Sequence, residues 1–346
     1  MKDGIWVGLL ILSFCLLSTT PLFANEMTGQ LAVDTTTKVD EFAPSLVVPA
    51  KCTLAGDISV RVSGAGHGPI LKIARDGSHI VRVTIDTVPG LLEGRIYDFA
   101  VGILGDVYVL ARDNREQTYI VHFTSDGQYT SKQVLDLRLQ PRQIAVFRSG
   151  QLLIAGLHEP AEGEEGINAK PFIGIFSDSG KLLKEISLTK DVEPKVGTSP
   201  QRQGEKQTTV DRAYEQATVL SSAVAAEDGN IYLMRHTAKG PVFVVSPSGT
   251  IARRIELSPP TDSELSAIQV GSGRIAAEFL KLQPKSDQIE SVIVDVLNAQ
   301  TGEKEAEYSH SDFHIGSAFA CYAHNDFTFL GNDASGHLTI IEATGR

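Results

Sequence analysis

The 346-residue sequence lacks the short motifs by which many enzymes are recognised. It contains no Gly-x-Ser-x-Gly nucleophile elbow, no His-Glu-x-x-His zinc motif, no phosphate-binding loop and no cluster of cysteine ligands. These absences weigh against an enzyme. They do not exclude one, because the active sites of some folds are assembled from distant parts of the chain and leave little local trace.

Positive charge is also scarce. The chain has 31 Lys and Arg residues against 42 Asp and Glu residues, and its formal net charge is −11. Non-specific binding to nucleic acid requires a cationic surface that replaces counterions on the phosphate backbone. We therefore expect no nucleic-acid partner.

Long apolar runs are limited to one, residues 5–17, which follows a basic residue and precedes a Leu-Phe-Ala sequence suited to signal peptidase. This run is shorter than the roughly 20 residues that a bilayer-spanning helix needs, so residues 1–24 are predicted to be a signal peptide. Phe14 precedes Cys15, where lipoprotein processing requires a small residue. We expect an exported chain, periplasmic or extracellular, that is monomeric and has no membrane anchor.

What the sequence does contain is a repeat of roughly 45 residues. Each copy has a hairpin glycine before an apolar strand, as in Gly-Asp-Val-Tyr-Val. These positions are Gly56, Gly105, Gly150, Gly229, Gly273 and Asn325. A second glycine, in a polar turn, follows at Gly77, Gly127, Gly180, Gly249, Gly302 and Gly345. Asparagine tolerates the left-handed turn conformation as glycine does, so the sixth copy keeps the pattern.

Six copies of four short strands predict an all-β fold, a six-bladed β-propeller of four-stranded antiparallel blades that forms one domain over residues 25–346. The sixth copy ends after its third strand. Because an open sheet edge invites aggregation, we predict that residues 31–48 add the outer strand of the last blade and close the ring.

Cysteine is rare: the chain has three, and Cys52 and Cys321 remain after removal of the signal peptide. Each lies four residues before the hairpin glycine or asparagine of its copy, so the two hold equivalent positions in blades that a closed ring makes neighbours. We predict a disulfide between them, which an exported protein can form. The alternative is two buried free thiols, since equivalent positions in adjacent blades can lie too far apart to be bridged.

The recurring Gly-Asp-Val-Tyr-Val-Leu and Phe-Thr-Ser-Asp-Gly-Gln-Tyr sequences resemble six-bladed propellers of the NHL-repeat and TolB-like type. The resemblance covers residues 43–346 and implies the fold. It leaves the function open, because relatives of this type include binding scaffolds, lactonases and lyases.

Sequence irregularities collect in the loops expected on one face of the ring. Residues 189–218 form an insertion between the third and fourth blades, predicted to be a mobile flap or to hold a short helix, and residues 158–166 form an acidic loop beside it. We interpret them as a lid or a surface for a protein, peptide or glycan partner; tolerated surface decoration is the alternative. The candidate partner-binding residues are His67, His158, Glu159 and His236.

Three potential metal ligands, His310, Asp312 and His314, alternate along one extended segment and would suit Ca or Zn, although such triples also arise by chance. Two further carboxylates stand out, Asp98 and Glu278, and Asp98 is the candidate for catalysis. We expect Asp98 at the channel mouth, where it either serves acid–base chemistry or hydrogen-bonds the backbone of the neighbouring blade.

These observations lead to two hypotheses for the function. The first is an extracytoplasmic binding or scaffold propeller without a cofactor. The alternative is a metal-dependent hydrolase or lactonase with its site over the central channel.

Overall fold

The structure is a computed structural model. It describes residues 27–43, 45–62, 68–91, 93–135, 137–158, 170–186, 220–235, 240–283, 289–311 and 318–346. The predicted signal peptide, most of the acidic loop and the insertion at residues 189–218 therefore lie outside the described residues, as do His67, Glu159, His236, Asp312 and His314.

The described residues are almost entirely β-strand and begin with a long strand, β1 (Met27–Phe42). Four separate antiparallel sheets follow, each of four consecutive strands. The first contains β2 (Leu46–Cys52), β3 (Ile58–Val62), β4 (Ile70–Ile73) and β5 (Ile80–Val83). The second contains β6 (Arg95–Val101), β7 (Val107–Arg112), β8 (Thr118–Phe123) and β9 (Tyr129–Val134).

The third sheet contains β10 (Leu139–Val146), β11 (Leu152–His158), β12 (Lys170–Phe176) and β13 (Leu182–Glu185). The fourth contains β14 (Leu220–Ala225), β15 (Ile231–Arg235), β16 (Val242–Val245) and β17 (Ile251–Ile255). The last seven strands are β18 (Ser263–Gly271), β19 (Arg274–Leu282), β20 (Ile289–Asn298), β21 (Lys304–His310), β22 (Ala318–Ala323), β23 (Asp326–Asn332) and β24 (His337–Gly345).

These last strands and β1 form one eight-stranded sheet, in the order β18-β19-β20-β21-β1-β24-β23-β22. The strand β1 pairs antiparallel with β24, while its first residues, 27–30, pair parallel with β21. The fold is thus an all-β propeller with four-stranded antiparallel blades, but the described residues form five sheets where six were predicted. The difference arises because β1 is long enough to pair with two outer strands.

The closing strand also differs from its predicted bounds. The strand beside β24 is residues 27–42 rather than 31–48, and residues 46–48 belong to β2, where Leu46 pairs with Val62. Gly345 was predicted to lie in a turn, yet it ends β24 and pairs with Leu31. The error at Gly345 arises because β24 pairs directly with β1, so no turn to a fourth strand follows it.

The hairpin glycines lie where the repeat predicts. Gly105 has φ of 83°, and Asn325 adopts the same left-handed conformation with φ of 71°. An ordinary side chain is strained there, whereas glycine and asparagine tolerate it. The turn residues therefore set the register of each first hairpin.

Both faces of each sheet are buried, which explains the apolar strands. On β7, Val107 and Val109 pack into a cluster with Ile70 of the first sheet, whereas Leu110 packs into another with Ile144 of the third. The first strands, β2, β6, β10, β14, β18 and β22, contact one another in sequence, and β22 contacts β2. They surround a central channel.

The disulfide is confirmed. Cys52 on β2 and Cys321 on β22 are bonded, with their Cα atoms 5.4 Å apart and a sequence separation of 269. Within the residues that the structure describes, no helix has the length and apolar character needed to cross a membrane.

Candidate functional site

The direction of the first strands gives the ring two different faces. Each first strand begins on the face that also carries the loops between second and third strands, which we call the loop face. It ends in a short hairpin on the opposite side, which we call the turn face. The sequence irregularities at residues 159–169 and 187–219 belong to loop-face connections, between β11 and β12 and between β13 and β14.

Asp98 lies within the ring and not at an open channel mouth. Asp98 is 9% exposed. Its Oδ2 accepts a hydrogen bond of 2.9 Å from the backbone N–H of Ile144 on β10, the first strand of the neighbouring sheet. The Nζ of Lys51 lies 3.6 Å from the same oxygen. A first strand has an unpaired edge towards the channel, and a carboxylate that accepts from its N–H satisfies that edge. Two roles were predicted for Asp98, acid–base chemistry and a hydrogen bond to the backbone of the neighbouring blade. The contacts match the second.

A second basic side chain accompanies this pair. Arg61 on β3 donates through Nη1 to the carbonyl oxygen of Ile96. Burial lowers the pKa of its guanidinium, and the charge of Asp98 opposes that shift. Lys51 and Asp98 are buried and Arg61 is half-buried, and the formal charges of the three sum to one excess positive charge.

Glu278 on β19 is 1% exposed. Burial raises the pKa of its carboxyl to about 8, although a hydrogen bond with Ser266 acts in the opposite direction. Its Oε1 has no hydrogen-bond partner among the described residues. Its cross-strand neighbours, Ala267 and Val294, belong to an apolar cluster. Glu278 is thus a neutral acid in the core at neutral pH and has no access to a substrate.

Of the four predicted partner-binding residues, the structure describes His158, which ends β11 on the loop face. Its Nε2 lies 4.0 Å from Glu185 Oε1, and its ring meets that of Phe172 edge-on at 4.7 Å. The other three lie outside the described residues, so their grouping stays a prediction.

The predicted metal ligands are likewise only partly described. His310 ends β21, and the segment with Asp312 and His314 is not described. No three His, Cys, Asp or Glu side chains among the described residues lie close enough together to hold a metal ion. The metal site therefore stays a prediction.

The loop face of the second sheet carries a hollow that was not predicted. We call it the polar hollow; its volume is about 390 Å³, within the range of roughly 300 to 1,000 Å³ typical of ligand sites. It is lined by Glu93, Arg95, Tyr97, Arg112, Asp113, Asn114 and Glu116. One aromatic ring is thus surrounded by six side chains that donate or accept hydrogen bonds.

Backbone irregularities place three of these side chains. Tyr97 is the extra residue of a β-bulge, because Ile96 pairs with Ala111 and Asp98 with Leu110. Glu93 and Glu116 adopt φ of 60° and 67°, a conformation that costs energy for a residue with a side chain. A register shift occurs in all six first strands, so the bulge belongs to the repeat and does not distinguish this blade. Glu93 and Glu116 are two of the six described non-glycine residues with positive φ, and backbone strain concentrates at functional sites. The presence of both at one hollow marks it as the candidate functional site.

Arg95 and Arg112 lie directly opposite each other on β6 and β7, an arrangement of like charges that destabilises a sheet. Arg112 is buried and bound by Glu116, whose Oε2 lies 2.7 Å from its Nη1. Arg95 is exposed and forms no ion pair with another described residue. Its guanidinium is therefore available to a ligand.

Asp113 holds the loop that forms one wall. Its Oδ1 accepts 2.9 Å hydrogen bonds from the backbone N–H groups of Arg115 and Gln117, and its Oδ2 accepts from the Tyr119 hydroxyl. Partial burial alone would raise the pKa of this carboxyl, but these hydrogen bonds hold it below its ordinary value. Across the hollow, Asn114 Nδ2 donates to Glu93 Oε2 at 3.2 Å. The wall is thus fixed before any ligand binds.

Comparisons with known proteins give similarity of fold alone. No protein-family model matches the chain, and no curated protein matches it. A streptogramin B lyase structure is 10% identical, with a TM-score of 0.47, over 90% of this chain and 97% of that chain. A virginiamycin B lyase from Staphylococcus aureus is 13% identical, with a TM-score of 0.45, over 90% of this chain and 98% of that chain. The Pan2 WD40 domain of Neurospora crassa is 9% identical, with a TM-score of 0.43, over 91% of this chain and 89% of that chain. At these identities no functional residue is carried over.

Proposed function

We propose that the protein is an exported, non-catalytic binding propeller that holds a glycan in the polar hollow on its loop face. The observation that carries this proposal is the convergence on one hollow of the Tyr97 ring, two glutamates with positive φ, and Arg95, which forms no ion pair with another described residue. A loop-face partner was expected from the sequence; among protein, peptide and glycan, the lining favours a glycan.

The chemistry of the lining matches a sugar ring. One face of a pyranose presents C–H groups that stack on an aromatic ring, and Tyr97 offers such a ring with little conformational freedom to lose. Hydroxyl groups around the sugar both donate and accept. Arg95 and Asn114 supply donors, and Glu93 supplies a carboxylate acceptor.

Two further features belong to the same proposal. We read the eight-stranded sheet as two blades joined by β1, which gives a six-bladed ring of the NHL-repeat or TolB-like type. The disulfide between Cys52 and Cys321 supports export, because such bonds persist in oxidising compartments.

The hydrolase alternative has no comparable support in the described residues, since Asp98 and Glu278 are buried within the ring.

A glycan array probed with the labelled mature protein tests the function. We expect specific binding that Tyr97→Ala reduces about tenfold or more, on the scale of an aromatic stacking contact together with buried area. Tyr97→Phe should retain most of the signal because it keeps the ring. The matched control is Tyr129→Ala, which removes an exposed tyrosine from the outer strand of the same sheet.

The outcome of the array separates the alternatives. Binding that survives both Tyr97→Ala and Arg95→Ala would place the glycan elsewhere and contradict the proposal. An array without a specific signal would also contradict it. Deletion of residues 189–218 in a parallel sample asks whether the predicted flap contributes.

A further inference from the structure

The turn face of the ring carries six short turns, one after each first strand, and all of them are described. We number them in chain order, from the turn after β2 to the turn after β22. Their central residues are Leu54-Ala55, Ile103-Leu104, Arg148-Ser149, Glu227-Asp228, Ser272-Gly273 and His324-Asn325. The turns surround the opening of the channel, where residues of the first four line one cavity of about 70 Å³.

The first and second turns present apolar side chains to solvent. Nine large hydrophobic residues are exposed on the described surface, and six of them lie on the outermost strands β1, β9 and β13. The other three are Leu54, Ile103 and Leu104, and Leu104 is 83% exposed. The acids that follow these two turns, Asp57 and Asp106, are half-buried. Exposed apolar residues that are grouped, unlike scattered ones, mark an interaction surface.

The other four turns carry exposed charges that alternate in sign. Arg148 lies in the third turn and Glu227 in the fourth, and Arg274 and Asp326 directly follow the central residues of the fifth and sixth. Arg274 is bound by Glu305 at 2.6 Å, whereas the other three form no ion pair with a described residue. Around the ring, the turns are therefore apolar, apolar, positive, negative, positive and negative.

This order restricts how two copies of the ring can meet turn face to turn face. Two such copies are related by a two-fold axis that lies in the interface, and the axis reverses the order of the turns. An axis through two opposite turns brings like charges together. Glu227 meets its own copy, Arg148 meets its own copy, or Glu227 meets Asp326, and each of these contacts is repulsive.

An axis between neighbouring turns has three placements. Between the second and third turns, or between the third and fourth, it sets the apolar turns against charged or polar ones. Between the first and second turns, it sets those two apolar turns against each other. Arg148 then faces Asp326 of the other copy, and Glu227 faces Arg274. This placement alone matches every turn with a complementary one.

We propose that the turn face binds a second copy of this chain across this axis, so that the protein forms a reversible dimer. Contact between the apolar turns drives the association, and the charge pairs, each repeated by symmetry, fix its orientation. The apolar surface is small, and we expect a dissociation constant in the micromolar range. The dimer replaces the monomer expected from the sequence.

The dimer goes beyond glycan binding and does not depend on it. The two loop faces point away from the interface in opposite directions, so each copy keeps its polar hollow exposed. Two hollows that face away from each other suit the bridging of two glycan chains. They do not suit tighter binding to one flat surface, because both sites cannot reach it together.

Sedimentation velocity of the mature, disulfide-intact protein, from about 1 to 500 µM, tests the association. We expect a shift from monomer to dimer across this range. Leu104→Asp should weaken the dimer about tenfold or more, because it places a carboxylate in the apolar contact of both copies. Val134→Asp is the matched control, since Val134 is exposed at the loop-face end of the outer strand β9. It should associate as wild type does.

A charge swap tests the orientation of the two copies. Arg148→Asp and Asp326→Arg should each weaken the dimer about tenfold or more, because each sets like charges against each other. The double variant restores opposite charges at both symmetric contacts and should associate as wild type does. Both side chains are exposed, so the unfolding midpoints of these variants should match that of wild type.

A protein that stays monomeric at the highest concentration would overturn the proposal, as would wild-type association of Leu104→Asp. Single charge variants that associate normally would contradict the proposed axis. A double variant that fails to recover would contradict it as well.

Discussion

The two ends of the strand β6 are the most instructive pair of regions in this molecule. Its first residues, Arg95 and Tyr97, line the polar hollow, and its end leads into the apolar turn with Ile103 and Leu104. The loop-face end is shaped by a bulge and by strained residues, the turn-face end by a regular hairpin. One strand thus presents two surfaces of opposite chemistry, of which we expect the loop-face end to bind the glycan.

Between these two ends lies a layer of polar groups whose hydrogen bonds join neighbouring first strands. Asp98 accepts from Ile144, and Gln269 Nε2 donates to the carbonyl oxygen of Phe319 at 3.0 Å. Side chains in this layer are buried, so their loss should damage both ends at once. Residues at the two ends are more exposed, so their loss should affect binding alone.

The largest expected effect comes from removal of β1. A chain that begins at residue 45 loses the ladder with β24, in which each hydrogen bond contributes about 1 kcal/mol, and it exposes Ile341 and Ala343. This loss approaches the whole stability of a domain, roughly 5 to 15 kcal/mol. We expect aggregation or a transition far below that of the full mature chain, measured by differential scanning fluorimetry and size exclusion. A monomeric truncated chain of equal heat stability would show that β1 is not needed for closure.

Asp98→Ala should have the next largest effect. It leaves Lys51 as a buried charge without its partner, a change that typically costs about 3 to 5 kcal/mol. Asp98→Asn is the matched control, because it keeps an acceptor for the Ile144 N–H. The midpoint of urea unfolding should be highest for wild type, lower for Asp98→Asn and lowest for Asp98→Ala. Equal midpoints for all three would mean that the pair contributes nothing to the ring.

Loss of the disulfide should follow. Cys52→Ser with Cys321→Ser opens a link that spans 269 residues, and we expect a loss of about 2 to 5 kcal/mol. Urea unfolding of the double variant beside the oxidised wild type measures this loss. Equal midpoints would show that the disulfide contributes nothing to the stability of the ring.

Glu278→Gln should have a smaller effect that depends on pH. The folded-state pKa of about 8 lies above the ordinary value of 4.5, so the folded chain holds a proton that the unfolded chain releases as the pH rises. The stability that this proton gives is present below about pH 4.5 and is lost by about pH 8. We expect wild type to lose roughly 1 to 3 kcal/mol more than Glu278→Gln between pH 5 and pH 8, measured by urea unfolding. Parallel pH profiles would refute the assignment.

The sequence predicted the fold well because its repeat is a backbone requirement. Hairpin positions that need a left-handed residue recur as glycine, and Asn325 could be recognised as their equivalent. The disulfide followed from equal offsets from these positions. The bounds of β1 could not be predicted, since residues 45–48 are as strand-like as the true closing strand and only pairing decides between them.

The polar hollow was missed because a non-glycine residue in the left-handed conformation leaves no composition signal. One clue was present: the loop Asp-Asn-Arg-Glu at residues 113–116 has no glycine where other turns of this chain have one, and Glu116 takes the left-handed conformation instead. Asp98 was recognised, but its partner Ile144 lies 46 residues away and became evident only from the packing of neighbouring strands.

The most direct test titrates the strongest glycan from the array against Tyr97→Ala and its matched control Tyr129→Ala, while unfolding curves confirm unchanged stability. We predict that Tyr97→Ala weakens glycan binding about tenfold or more and that Tyr129→Ala binds the glycan as wild type does. If Tyr97→Ala bound the glycan as tightly as wild type, or if both variants lost it equally without a change in stability, the assignment of the glycan to the polar hollow would be wrong.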